Sequence, residues 1–184
     1  MTHITLLGKK TMYDLYECNR EDSSRYILGK KGKRTLFVVG LNPSTANKEK
    51  SDPTVAKTEK VALQNGFDGF VMTNLYPLRS TNPKELPADG KKNLIKKNVE
   101  AILEHASGGK ESMFWAAWGG NIVTRSYLID ALIVLSEGIK KKNNRWMHFG
   151  DLTKKGHPRH PSRLAYKWNF LDFDIEAYLT NLRG

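Results

Sequence analysis

Four short apolar runs, separated by three amphipathic segments, restrict this chain to a narrow set of folds. The runs occupy residues 35–40, 69–74, 112–118 and 145–149. An uninterrupted apolar run between polar turns is typical of a strand that is covered on both faces. The alternation of such strands with helices predicts an α/β fold of three layers, α/β/α, with a central, largely parallel sheet.

The segments between these runs predict three helices. Asp52 followed by Pro53 has the residue types of a helix N-cap and first turn, and Gly66 follows the last apolar position. Apolar residues recur at helical spacing over 94–103 and over 127–135. The second of these stretches is too short to cross a bilayer, so it predicts a buried helix.

The amino-terminal part of the chain predicts a β-hairpin. Strand-forming residues occupy 13–18 and 25–28, with a polar turn between them. Residues 1–184 show no internal repeat, and this length is about that of one domain, so we expect a single α/β domain. Cys18 is the only cysteine, and the first residues lack the pattern of a secretory signal. These features favour a cytoplasmic protein without a membrane partner.

The charge balance favours an acidic partner. The chain has 30 Lys and Arg against 19 Asp and Glu, a net charge of +11. Such an excess favours DNA or another nucleic acid, or a nucleotide, as the partner. Scattered lysines that solvate helix faces explain the same number, so charge alone does not decide between these interpretations. Nothing in the sequence specifies the oligomeric state.

Polar, turn-forming segments follow three of the predicted strands, whose carboxyl ends meet at one edge of a parallel sheet. Asn42 is a candidate catalytic residue there, because its carboxamide both accepts and donates hydrogen bonds. An Asx turn is the structural alternative. Arg79 is suited to clamp a phosphate or to lie in solvent, and Trp118 to stack on a base or to join the core. The candidate substrate-binding residues of these segments are Gly40, Leu41, Pro43, Ser44, Asn74, Arg79 and Trp118.

A late segment, residues 156–163, combines two histidines, two arginines and a serine with two prolines. His160 is a candidate catalytic donor to an oxyanion, and Arg159, Ser162 and Arg163 are suited to hold a substrate through its phosphates. A metal site on His157 and His160 would lack a third nearby ligand, so the sequence predicts no metal and no other cofactor.

These segments resemble DUF1643, a family of bacterial and phage proteins catalogued as a domain of unknown function. The likeness extends over about residues 11–168. It is carried by the segments 40–46, 51–54, 74–81, 117–119 and 158–161. It implies no particular activity.

The same segments, in the same chain order, are similar at greater distance to the uracil-DNA glycosylase superfamily. The shared features are a Gly-x-Asn-Pro loop, a strand ending in Asn, a strand ending in Trp-Gly and a late His-Pro-Ser loop. The resemblance implies that Asn42 positions the attacking water, Asn74 binds the base and His160 stabilises the departing base. Ser44 and Ser162 would contact phosphate. It therefore implies a hydrolase that cleaves the N-glycosidic bond between base and sugar in nucleic acid.

The departures from that superfamily leave two other functions open. Asn42 lacks the carboxylate of the fastest members, and Asp52 is either a replacement carboxylate or a helix N-cap. No aromatic residue follows the first motif to stack on a flipped base, and Leu164 is a candidate wedge into a duplex. The alternatives are a non-catalytic module of the same fold that binds nucleic acid or a nucleotide, and an enzyme that acts on free nucleosides or nucleotides.

Overall fold

Seven strands form one mixed sheet in the computed structural model, which describes residues 12–108, 112–141 and 144–183. Its strands are β1 (Leu15–Cys18), β2 (Arg25–Lys30), β3 (Thr35–Gly40), β4 (Gly69–Asn74), β5 (Met113–Ala116), β6 (Arg145–Phe149) and β7 (Phe170–Asp172). Its helices are α1 (Pro53–Gln64), α2 (Lys92–His105), α3 (Ser126–Lys140) and α4 (Ile175–Arg183).

The middle of the sheet is parallel, as the apolar runs predict. The strand order is β1-β2-β4-β3-β5-β6-β7, and β4, β3, β5 and β6 run parallel to one another. Helices α1, α2 and α3 connect these four strands in turn. The predicted amino-terminal hairpin is confirmed, since β1 and β2 pair antiparallel and β2 joins the sheet beside β4.

Helices cover both faces of the sheet. Along β3, Leu36 and Val38 belong to the apolar cluster that contains buried residues of α1, whereas Phe37 and Val39 belong to the cluster that contains residues of α2, α3 and α4. Successive side chains of a strand point to opposite faces, so a strand between two layers of helices must be apolar throughout.

The predicted start of α1 is confirmed. The Asp52 side chain accepts a hydrogen bond from the backbone N–H of Val55 at 2.9 Å, as an N-cap does, and Pro53 occupies the first turn. The second carboxylate oxygen of Asp52 accepts from the backbone N–H of Ala46 at 3.2 Å. Both oxygens therefore hold the loop that joins β3 to α1.

The last two elements, β7 and α4, were not predicted. Strand β7 pairs antiparallel with β6, and Tyr178 and Leu179 of α4 are buried against the sheet. Within the described residues, no helix has the length and apolar character needed to cross a membrane.

Candidate active site

A cavity of about 420 Å³ lies at the carboxyl edge of the parallel strands. Its walls come from the segments after β3, β4 and β5 and from the segment 153–163. In open α/β sheets, ligands bind outside the carboxyl ends of the strands, where neighbouring strands have connections in opposite directions. The chain continues from β3 to β4 on one side of β3, and from β5 to β6 on the opposite side, so the two connections diverge between β3 and β5. The volume is that of a small-molecule site, for which about 300–1,000 Å³ is usual.

Most of the residues predicted for the site line this cavity. The structure brings together Leu41, Asn42, Pro43, Ser44, Asn74, Trp118, Arg159, His160, Ser162 and Arg163. Gly40 and Arg79 do not line it. Gly40 lies against the site, because a Cβ atom at this position would be 2.7 Å from the Asn74 Oδ1 atom and 2.8 Å from the Met72 Cε atom. A Cβ atom at position 40 would therefore displace the Asn74 carboxamide or the end of the Met72 side chain.

Asn74 ends β4 and presents an unpartnered carboxamide at the cavity. The residue is 1% exposed, and within the described part of the chain neither its Oδ1 nor its Nδ2 atom has a hydrogen-bond partner. The Asn98 side chain donates to the Asn74 backbone carbonyl at 2.7 Å and so fixes the strand end. A buried polar group without a partner costs about 1–3 kcal/mol of stability. A ligand in the cavity can supply the missing partners.

The Asn42 carboxamide is oriented by its own amide group. Its Nδ2 atom donates to the carbonyl of Ser80 at 2.8 Å and to that of Pro43 at 3.1 Å. The backbone N–H of Ser80 donates in turn to the Pro43 carbonyl at 2.9 Å, which ties together the loops after β3 and β4. These bonds occupy the amide hydrogens and leave the Asn42 Oδ1 atom available as a hydrogen-bond acceptor.

The contacts of His160 favour a neutral imidazole with its hydrogen on Nε2. The residue caps a short 3-10 helix, Pro161–Arg163, and its Nδ1 atom accepts from the backbone N–H of Ser162 at 3.3 Å. The Ser162 hydroxyl lies 2.9 Å from Nδ1 and can donate as the backbone N–H does, which favours the tautomer with its hydrogen on Nε2. Burial lowers the pKa of His160 below its ordinary value, a nearby Asp52 opposes this and Arg163 adds to it. The ring is thus a neutral donor at neutral pH.

Gly119 allows His160 to approach the end of β5. Gly119 has φ 71° and ψ −174°, a conformation essentially restricted to glycine. A Cβ atom on Gly119 would lie 3.3 Å from the His160 Cβ atom. The Trp-Gly motif therefore supplies both the backbone turn and the space next to the catalytic candidate.

Trp118 forms part of the cavity wall, but its ring belongs to the core. It is 1% exposed, packs against Trp146 and Phe173, and donates from Nε1 to the Tyr178 hydroxyl at 3.1 Å. The Tyr178 hydroxyl lies 2.9 Å from the His157 Nδ1 atom. Of the two roles open to Trp118, base stacking and packing in the core, the structure favours the core, because the indole is fixed by packing and by this buried hydrogen-bond chain.

His157 is part of that hydrogen-bond chain. Burial lowers the pKa of His157 and raises the pKa of Tyr178 to about 12, so both groups are neutral at neutral pH. In the described ranges, no three His, Cys, Asp or Glu side chains come together as metal ligands. The buried pair instead links α4 to the segment that carries His160.

Arg79 organises the loop after β3. Its Nε atom donates to Asp22 and its Nη1 atom to the carbonyls of Ser44 and Ala46, at 2.7 and 2.9 Å. Its Nη2 atom donates to the Tyr16 hydroxyl at 2.7 Å and to the Asp22 carboxylate at 3.0 Å. All five N–H groups are used. Contrary to the expectation of a phosphate clamp, Arg79 connects the hairpin turn to the site.

Arg25, which the sequence predicts only as part of the hairpin, is also a cavity residue. It begins β2, lines the cavity and is 1% exposed. Its Nη1 atom donates to the carbonyl of Ala46 at 2.9 Å, whereas its Nε atom has no partner in the described residues. Burial, with a smaller contribution from Arg79, lowers the pKa of Arg25 to about 10, so it is a cation at neutral pH. The sequence does contain a signal for this role, because Arg25 is a charged residue at the start of a strand that is otherwise apolar up to Lys30.

The rim of the cavity is basic. Arg159 lies half-buried on the Trp168 ring, 5.4 Å from its centroid, and donates from Nε to the Asp151 carbonyl at 2.8 Å. Ser162 and Arg163 are exposed beside it. These groups surround the opening through which a ligand would enter.

An aromatic side chain with two lysines lies near this rim. Tyr166 is 42% exposed, and the Nζ atoms of Lys60 and Lys57 lie 4.4 and 5.4 Å from its ring centroid. Helix α1, which carries both lysines, packs against the short helix Pro161–Arg163. The basic surface thus continues outward from the rim.

The fold and the cavity define an α/β protein with a ligand-sized site at the carboxyl edge of a parallel sheet. A family model described as "Protein of unknown function (DUF1643)" matches residues 25–162, so the chain belongs to this family. The matched region includes every residue that lines the cavity except Arg163. No curated protein and no solved structure matches the chain.

Proposed function

We propose that this protein hydrolyses the N-glycosidic bond between a base and its sugar in nucleic acid, with the base held between Asn74 and His160. The observation that carries the proposal is the buried, unpartnered carboxamide of Asn74 at a cavity of ligand size. A carboxamide presents one donor and one acceptor side by side, which matches the edge of a nucleobase. The distant resemblance to the uracil-DNA glycosylase superfamily gives the same assignment.

The reaction requires stabilisation of two opposite charges. As the C–N bond breaks, its electron pair leaves with the base, and positive charge develops on the sugar. The neutral His160 ring donates from Nε2 to a carbonyl oxygen of the departing base, where negative charge accumulates. Water then adds to the anomeric carbon and releases a proton to solvent.

Asn42 orients this water but does not deprotonate it. Its amide hydrogens are bound to Pro43 and Ser80, so its Oδ1 atom accepts a hydrogen bond from the water and holds it near the sugar. A carboxamide is not a general base at neutral pH, and catalysis therefore depends on positioning and on stabilisation of the base anion. We expect turnover to be slow.

The charge of the surface supports a polymeric substrate. Arg163 lies at the rim of the cavity, and Lys57 and Lys60 lie on α1 outside it, where backbone phosphates would pass. Extrusion of a base from a duplex costs a few kcal/mol, which such phosphate contacts offset.

Strand cleavage after alkali treatment tests the proposal. Oligonucleotides that carry uracil, hypoxanthine or other modified bases are incubated with the protein, and alkali then cleaves at each abasic site. Asn42→Asp retains or raises the rate, because a carboxylate activates water better, and Asn42→Ala lowers it. His160→Ala lowers it about a hundredfold, since it removes a donor to the leaving group.

His105→Ala is the matched control. His105 lies on α2, away from the cavity, where its ring contacts the Ala101 carbonyl and Glu17. The control therefore leaves the rate unchanged. Absence of cleavage across the whole panel would refute the proposed reaction. Equal rates for the wild type, Asn42→Ala and His160→Ala would refute the residue assignment.

The carboxamide at position 42 favours a second candidate, a binding module without catalysis. Such a module binds nucleic acid or a nucleotide through the same cavity and rim, and it shows no base release from any substrate in the panel. An enzyme that acts on free nucleosides or nucleotides differs from both, because it releases base from monomers and not from oligonucleotides. The same assay, with monomers added to the panel, separates the three.

A further inference from the structure

Arg25 and Asn74 both line the cavity, at strand ends that lie near each other. Strand β2 pairs antiparallel with β4, with Leu28 opposite Met72, so the first residue of β2 lies next to the carboxyl end of β4. That first residue is Arg25, and Asn74 is the last residue of β4. Both line the cavity and both are 1% exposed.

The two side chains have unused hydrogen-bonding capacity. Within the described residues, the Arg25 Nε atom and both polar atoms of the Asn74 carboxamide lack partners. Burial of a guanidinium carries a desolvation cost, which a protein normally offsets with a carboxylate. In the described part of the chain Arg25 forms no ion pair, and both oxygens of nearby Asp52 already accept backbone N–H groups. A ligand in the cavity can supply acceptors for the free capacity of Arg25.

We propose that Arg25 and Asn74 form a subsite that binds the edge of a 6-oxopurine base, such as hypoxanthine. This inference rests on the proposed function and names its substrate class. A guanidinium donates two parallel hydrogen bonds to the O6 and N7 atoms of such a base. The next group along that edge is N1–H, for which the Asn74 Oδ1 atom is an acceptor.

The Asn74 Oδ1 atom, an acceptor in the same cavity as the Arg25 cation, favours a base over a phosphate as the ligand. A phosphate offers acceptors alone, so it would satisfy Arg25 and the Asn74 Nδ2 atom but would leave the Asn74 Oδ1 atom without a donor. A 6-oxopurine offers two acceptors followed by a donor, which matches the guanidinium and the carboxamide in turn. Uracil has no adjacent pair of acceptors on its edge and leaves one arm of the fork unused.

The same contact assists the reaction. When the C–N bond breaks, the electron pair delocalises over the purine ring, including N7 and O6. A buried cation at those atoms stabilises the developing anion in a medium of low polarity. Arg25 thereby compensates for the carboxylate that Asn42 lacks. It acts on the leaving group, whereas Asn42 acts on the water.

Calorimetric titration of the whole protein with free hypoxanthine, uracil and inorganic phosphate tests the subsite without requiring catalysis. We expect hypoxanthine to bind more tightly than uracil. Arg25→Met should weaken hypoxanthine binding about ten- to a hundredfold, the usual effect of a lost charge-assisted hydrogen bond. Arg25→Lys, which keeps the charge but not the fork, should be intermediate. Arg20→Met is the matched control, because Arg20 is exposed and does not line the cavity.

The titrations distinguish failure of the subsite from failure of the proposed hydrolysis. Equal affinity for hypoxanthine in the wild type, Arg25→Lys and Arg25→Met would overturn the subsite, and the Lys variant decides the question if the Met variant does not fold. Arg25-dependent binding of phosphate without binding of hypoxanthine would overturn the base assignment. Arg25-dependent binding of hypoxanthine, with no base release from oligonucleotides, would uphold the subsite and refute only the proposed hydrolysis.

Discussion

Replacement of Asn74 by leucine should stabilise the ligand-free protein. Leucine has the same number of side-chain heavy atoms as asparagine, and it removes two buried polar atoms that have no partner in the described residues. Each such atom costs about 1–3 kcal/mol. Gly40 lies close to the carboxamide, and a methyl group is larger than an oxygen, so we expect a net gain of about 1–2 kcal/mol. For a chain of this length the melting temperature should rise by roughly 2–8 °C.

Thermal unfolding followed by circular dichroism measures this gain, and Asn98→Leu is the matched control. Asn98 is equally buried at 1% exposure, but its Nδ2 atom donates to the Asn74 carbonyl at 2.7 Å. Its replacement removes this hydrogen bond together with the Asn98 Oδ1 atom, which has no partner in the described residues, so stability should fall by about 1 kcal/mol. Asn74→Leu should also abolish base release. If both variants lose stability to a similar extent, Asn74 is an ordinary structural asparagine, and the reasoning is refuted.

Three further predictions concern the basic rim of the cavity, the His160 imidazole and Gly119 in the loop after β5. Affinity for DNA should fall steeply as the salt concentration rises. Arg159→Gln and Arg163→Gln should each reduce the slope of log K against log salt by about 1. An unchanged slope in a filter-binding titration would exclude these phosphate contacts. The pKa of His160 in the folded protein lies below its ordinary value of 6.5, so folding favours the neutral ring. The stability that the neutral ring contributes is complete above pH 6.5 and is lost as the pH falls through the lowered pKa. Urea unfolding should show a weaker acid dependence in His160→Gln than in the wild type, and equal dependence would contradict the assigned protonation state. Gly119→Ala should cost about 1–3 kcal/mol and reduce base release, whereas Gly156→Ala, at φ 76° with no atom within 4 Å of the new Cβ, should affect stability alone.

The central part of the fold could be predicted because its physical signals are local. A strand buried on both faces must be apolar throughout, so β3 and β4 are visible as continuous runs. Helix α1 is marked by Asp52 and Pro53 at its start. Strand β7 has only three residues, two of them exposed, and such a short edge strand has no periodic pattern to detect.

The candidate site was predictable where glycine, proline and asparagine mark turns at strand ends. The roles of Trp118 and Leu164 depend on tertiary packing, which the sequence does not display. Leu164 is 7% exposed and belongs to the apolar cluster with α1, so the expectation of a wedge into a duplex is corrected. Arg25 was missed because a charged residue at a strand end is usually solvated. Its burial results from the pairing of β2 with β4, two strands far apart in sequence.

A crystal structure of the protein with free hypoxanthine and an oligonucleotide that contains an abasic site tests the placement of the base most directly. The proposed reaction predicts that the base lies in the cavity, with hydrogen bonds to the Asn74 carboxamide and to the His160 Nε2 atom, and that the abasic sugar lies near Asn42. Density for the base outside the cavity, for example stacked on exposed Tyr166, would contradict it.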